Sequence, residues 1–141
     1  MDKIKRYGGI IIRCEDEVLL CKRNNKDTLP GVWSIPAGKL TKNESPLEGS
    51  LREFFEETNI EIKKKIDLVG FINRKTRDGK SNKGLMYVFL CDVDEKICPD
   101  LENAVDGDEH SMCSYFNINN LPFEDENDQL YILLKNILKK K

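Results

Sequence analysis

No apolar run in this 141-residue chain approaches the length needed to cross a bilayer. The opening stretch MDKIKRYGGIIIRC has no run resembling a signal peptide. Those two absences lead us to expect a soluble, cytoplasmic protein without a membrane partner. An excess of charge of one sign is also missing. Lysine and arginine number 23 against 25 aspartates and glutamates, for a net charge of −2, whereas proteins that grip nucleic acid through bulk charge are usually basic. Cysteine is sparse and scattered. Cys14, Cys21, Cys91, Cys98 and Cys113 are odd in number and contain no C-x-x-C pair. Reduced thiols acting as small apolar side chains are expected, rather than a zinc site or a disulfide framework. Histidine occurs once, as His110, and with no partner visible in the sequence it is expected to be structural. No internal repeat, linker or low-complexity segment divides the chain, so residues 1–141 are read as a single domain.

What is present alternates between strand-like and helix-like segments. YGGIIIRC and EVLLCKR are apolar, β-branched runs around Glu15-Asp16-Glu17, which predicts a hairpin. NNKDTLPGVWSIPAGKL reads as loop, punctuated by Pro30-Gly31 and Pro36-Ala37-Gly38. KIDLVGFIN and GLMYVFLCDV read as strands, with Asp78-Gly79 as the turn between them. CSYFNI is a further short strand. DQLYILLKNILKK places Leu130, Leu133, Leu134, Ile137 and Leu138 at helical spacing and ends in lysines. The order strands, helix, strands, helix predicts an α+β domain, a mixed sheet covered by a helix on each face.

The first helix, PLEGSLREFFEET, holds the chemistry. Ser45 suits the N-cap, Pro46 the first helical position, and Glu48 completes a capping box. Asn59 marks the stop, since asparagine is second only to glycine in the left-handed conformation that ends many helices. At about 100° per residue, Leu47, Leu51, Phe54 and Phe55 share a broad face, read as the core anchor. Glu53, Glu56 and Glu57 share another, with Arg52 on the flank. Like charges three and four residues apart repel. A solvated acidic face explains the polarity but not the arrangement. A site for a hard cation explains both, because carboxylate oxygens suit Mg²⁺. Helix geometry by itself leaves both readings open.

The flanking residues decide between them. From Gly38 to Ile60 the chain reads GKLTKNESPLEGSLREFFEETNI. This resembles the Nudix box, G-x5-E-x7-R-E-U-x-E-E-x-G-U, with U a bulky aliphatic residue. Gly38, Glu44, Arg52, Glu53, Glu56, Glu57 and Ile60 match in register, and Phe54 fills the first U position. Asn59 stands where the family has glycine, a mild departure given its backbone tolerance. The resemblance implies a Nudix-type α/β/α sandwich and a MutT-like pyrophosphohydrolase using Mg²⁺ or Mn²⁺. It implies that Glu56, Glu57 and the Gly38 carbonyl are metal ligands, and that Glu53 is a ligand or the general base. Arg52 would hold a box glutamate, and Glu44 would support the loop–helix junction. The substrate expected first is a nucleoside triphosphate, oxidised forms included. ADP-ribose, dinucleotides, capped RNA ends and a non-catalytic nucleotide-binding module are the alternatives.

Some Nudix proteins recruit one more acid from outside the box. VDGDEHSMCSYFNI offers Asp106, Asp108 and Glu109, and Glu109 best fits the place just before the strand. By similarity to MutT-like members, Arg23 and Lys39 are candidate phosphate contacts and Asn127 a candidate base contact. Arg74, Lys75, Arg77, Lys80 and Lys83 make a basic loop. We read it first as a solvated hairpin, and second as a surface that steers a polyanion or an RNA end toward the site.

Overall fold

The computed structural model describes residues 5–24, 31–75, 82–123 and 128–139. The expected hairpin forms from β1 (Lys5–Cys14) and β2 (Glu17–Arg23). Its two-residue turn places Glu15 in the left-handed region, at φ 56°. β1 meets β2 only near that turn. It pairs parallel with β6 (Asn82–Asp92) along its whole run from Lys5 to Arg13. β5 (Asp67–Lys75) continues the sheet antiparallel to β6, and β7 (His110–Asn117) pairs antiparallel with β2. The mixed sheet expected from the sequence is therefore present.

Two short strands sit where the sequence reads as loop. β3 (Trp33–Ser34) pairs with β2, and β4 (Ala37–Lys39) pairs with Tyr7–Gly9 of β1. Two or three residues between prolines carry no period to detect. The stretch read as loop therefore contains two paired strands. β4 matters most, because it lays Gly38 against the acidic helix.

That helix, α1, spans Pro46–Thr58 as expected. The Glu48 N–H donates to Ser45 Oγ at 3.1 Å, and Ser45 Oγ–H donates to Glu48 Oε1 at 2.9 Å. Asn59 closes the helix at φ 61°, its N–H donating to the Phe55 carbonyl. On the other side of the sheet lies α2 (Gln129–Lys139), capped by Asp128 Oδ1, which accepts from the Leu130 and Tyr131 N–H groups. Strand alternation feeds both layers. Ile10, Ile12 and Leu19 pack with Phe54 of α1. Ile11, Val18 and Leu20 pack with Leu130 and Leu134 of α2.

Two expectations need correction. Phe54 anchors α1, at 1% exposure, with Leu51 partly buried against the same cluster, whereas Phe55 and Leu47 are each 42% exposed. The buried arc runs through Glu57, Ser50, Phe54 and Thr58, so the helix is rolled toward its acidic side. Gly8 of β1 permits this, since a Cβ there would lie 2.0 Å from Ser50 Oγ. The cysteines also depart from five reduced thiols. Cys21 and Cys113 lie opposite one another on β2 and β7, with Cα atoms 4.0 Å apart, and are joined by a disulfide. Their 92-residue separation hides a pairing that only strand register creates. Cys14, Cys91 and Cys98 are free.

Asp78-Gly79 and Asn127 lie outside the described residues, as do the side chains of Arg74, Lys75, Arg77, Lys80 and Lys83. Among the described residues, no helix is long and apolar enough to cross a membrane.

Candidate active site

Arg52 organises the acidic side of α1. Its Nε and Nη2 donate to the two carboxylate oxygens of Glu44, at 3.0 and 2.7 Å. This is the bidentate fork that suits guanidinium to carboxylate. Nη1 donates to both oxygens of Glu56 at 3.0 Å and lies 3.1 Å from Glu53 Oε1. Nη2 also donates to the Lys39 carbonyl at 3.2 Å. Glu44 in turn accepts from the Thr41 N–H at 2.7 Å. The Arg52 hydrogen bond holds the Glu44 carboxyl down at about 2, and the Thr41 amide acts in the same direction. The expected role of Glu44, fixing the loop to the helix, is what this geometry performs.

Glu53 lies flat against β4. A Cβ added to Gly38 would fall 2.0 Å from Glu53 Oε2. Only glycine lets the strand approach that carboxylate so closely. Burial pushes the Glu53 carboxyl above its ordinary range, opposed by Arg52 and reinforced by Glu56 and Asp106. Glu57 is buried more deeply, at 1% side-chain exposure. Burial raises its pKa well above the ordinary range, and the nearby charges of Glu53 and Asp106 raise it further. Arg23 and the Ala37 amide act the other way. Glu57 Oε1 shares a 2.6 Å hydrogen bond with His110 Nε2, while Oε2 has no hydrogen-bond partner among the described residues.

The 3-10 turn at Gly107–Glu109 delivers the outside acids. It is tied to both neighbours. The Asp106 N–H donates to the Glu56 carbonyl at 2.7 Å, and the Asn24 N–H donates to the Glu109 carbonyl at 2.9 Å. Asp106 is the member whose charge acts on both Glu53 and Glu57. Glu109, favoured by the sequence, is exposed. Arg23 ends β2 with its charge acting on Glu57, so it belongs to the cluster. Lys39 lines a groove with Lys5, Arg6, Lys42 and Glu44, and Glu57 is not part of its lining. A second groove, bounded by Ile60–Lys64 and Cys91–Ile97, contains none of the site carboxylates.

Among the described residues, no three His, Cys, Asp or Glu side chains converge as a ready-made metal cage. Arg52 accounts for part of this, since it engages Glu53 and Glu56 itself. The donor chemistry nevertheless fits a hard divalent cation. The donors are all oxygens, the carboxylates repel one another, and one buried oxygen, Glu57 Oε2, has no hydrogen-bond partner among the described residues.

His110 is the residue whose role the sequence hides. It stands 53 positions from Glu57, and no spacing rule links the two. The only available signal was that it is the lone histidine in a chain with a buried-acid site.

A family model described as the NUDIX domain matches residues 3–136. The 8-oxo-dGTP diphosphatase of Proteus vulgaris is 38% identical over 64 residues, covering 44% of this chain and 57% of its own. The ADP-ribose pyrophosphatase of Methanocaldococcus jannaschii is 32% identical over 112 residues, covering 79% and 61%. The chain thus spans less than two thirds of the length of either curated relative. The crystal structure of a MutT NUDIX hydrolase from Burkholderia pseudomallei shares the fold, with a TM-score of 0.77 at 21% identity over 96% of this chain and 99% of that one. The α/β/α sandwich, the carboxylates ordered by Arg52 and a family match over nearly the whole chain agree, and the chain belongs to the Nudix family.

Proposed function

We propose that this protein hydrolyses the pyrophosphate bond of a nucleoside diphosphate linked to a further group. Its first substrate would be a nucleoside triphosphate, oxidised or not, released as the monophosphate and pyrophosphate. The observation that carries the reading is the buried Glu57, whose Oε2 has no hydrogen-bond partner among the described residues, beside the Arg52-held Glu53 and Glu56. Glu53, Glu56, Glu57 and the Gly38 carbonyl would hold Mg²⁺ or Mn²⁺. Such a cation supplies charge neutralisation on the phosphates and a more acidic bound water.

The chain's own residues do the rest. Arg52 keeps Glu56 and Glu53 close together while tied to Glu44, which limits how far the acids must move when cation and substrate arrive. Glu53, held above its ordinary pKa by burial, is suited to take the proton of the attacking water. Asp106 is the outside acid nearest in its electrostatic effect, and Glu109 stands behind it as the second choice. Arg23 and Lys39 would contact phosphate, with Arg23 better placed because its charge reaches Glu57. Asn127 remains a proposed base contact.

ADP-ribose is the second reading. The relative named for that activity aligns over 79% of this chain, against 44% for the one named for 8-oxo-dGTP. A panel of nucleoside triphosphates, 8-oxo-dGTP, ADP-ribose, dinucleotides and capped RNA, assayed with Mg²⁺ and with Mn²⁺, tests both. A triphosphate should be cleaved fastest, and Glu57→Gln should lower kcat by about 100-fold or more. Faster turnover of ADP-ribose would select the second reading. No cleavage of any member, or full activity in Glu57→Gln, would remove the enzymatic reading.

A further inference from the structure

We propose that His110 is a positioning residue: its imidazole hydrogen-bonds Glu57 Oε1 and fixes this carboxylate so that Oε2 remains the atom available to a cation. The proposal rests on the reading above, in which Glu57 is a cation ligand. Both side chains are almost fully buried, at 2% and 1% exposure, and 2.6 Å separates Nε2 from Oε1. An ionised carboxylate has no proton to give, so Nε2–H donates whenever Glu57 is charged. Carboxylates that bind metals are usually themselves hydrogen-bonded, and those supports set affinity.

The fold departs from regular pairing to make this contact. Along β7, Tyr115 and Cys113 lie opposite Leu19 and Cys21 and pack toward the α1 core. Regular alternation would send Ser111 to that side and turn His110 the other way, with Met112. Register instead shifts at Lys22/Arg23, so that Lys22 faces Met112 while Arg23 faces His110. Ser111 becomes the extra residue of a bulge. Bulges re-aim side chains and concentrate beside active sites. This one turns the chain's only histidine toward Glu57.

A purely structural histidine would satisfy the same buried acid, and the two roles make different predictions. Mn²⁺ binding to substrate-free protein, read as free Mn²⁺ by electron paramagnetic resonance, separates them. Measurements on His110→Leu, His110→Asn and His110→Gln are paired with melting curves in EDTA. Asparagine keeps polarity but is too short to reach Oε1 as Nε2 does; glutamine restores a donor near that position. We expect Leu and Asn to weaken Mn²⁺ binding by about 10- to 100-fold, and Gln to recover most of the loss. In a Glu57→Gln background, His110→Asn should cost no further affinity, because its effect passes through Glu57.

Wild-type affinity in folded His110→Asn would overturn the proposal. So would an equal loss in the Glu57→Gln background, or no recovery in a folded His110→Gln. Failure of wild type to bind Mn²⁺ would remove the cation site itself, and the role of His110 with it. Tight Mn²⁺ binding without activity on any substrate would overturn the substrate reading alone and leave this one to the variants.

Discussion

Arg52 reaches Glu44, Glu53, Glu56 and the Lys39 carbonyl from one planar guanidinium. A lysine carries the same charge but offers a single ammonium, which cannot hold a fork to Glu44 and a bridge to Glu56 together. Arg52→Lys is therefore expected to lower kcat by about 10- to 100-fold and stability by on the order of 2 kcal/mol. Steady-state kinetics and urea unfolding check the two numbers, and unchanged kcat would show that the bridge is dispensable. At this scale the sequence is informative wherever partners share one helix or the loop before it. Arg52, Glu44 and the three glutamates stand at fixed short spacings, so their meeting follows from helix geometry. The Glu57–His110 contact does not, because a bulge in a distant strand decides which way His110 points.

At the scale of elements, α1 is legible end to end: the Ser45 cap, the Glu48 capping box and the Asn59 stop form as expected. Asn59 holds a left-handed conformation that costs most residues about 1–2 kcal/mol. Asn59→Ala should thus lose about 1 kcal/mol in urea unfolding, and Asn59→Gly should match or exceed wild type. Equal stability for the alanine and glycine variants would show that the cap conformation is not limiting. The orientation of α1 was not legible. Apolar periodicity points to Leu47 and Phe55 as well as Phe54, yet the close passage of Gly8 over Ser50 rolls the helix toward Glu57. β3 and β4 escaped detection because strands so short have no period of their own.

Across the whole molecule, the fold buries mutually repelling acids and accepts the loss of stability. Burial and the charges of Glu56 and Asp106 raise the Glu53 carboxyl. Its folded-state pKa lies above the unfolded one, so the group costs stability at neutral pH, where it must be ionised, and that cost vanishes as pH falls. A neutral replacement should remove part of it. Glu53→Gln is expected to raise the melting temperature in EDTA by on the order of 3–4 °C, or about 1 kcal/mol. Added Mg²⁺ or Mn²⁺ should stabilise wild type more than the variant. Calorimetry with and without the cation checks both, and a destabilised Glu53→Gln in EDTA would show that the Arg52 contact outweighs the repulsion. The layered architecture was readable from the order of segments, since two amphipathic helices and several apolar strands leave few ways to bury every apolar face.

The parallel pairing of β1 with β6 joins Lys5 to Gly84 and Arg13 to Asp92, and so bears on when the site can exist. Parallel neighbours so far apart in the chain must close a long loop before any contact rewards it, which makes their docking a slow, late event. Gly38 and the three glutamates lie close in sequence and can meet early. Arg23 and His110 meet only through β2–β7 pairing, across an equally long stretch of chain. A nascent chain therefore carries its glutamates well before the groups that tune Glu57. The site would mature with the last strands to dock, and a divalent cation held there would act chiefly by slowing escape from the finished fold.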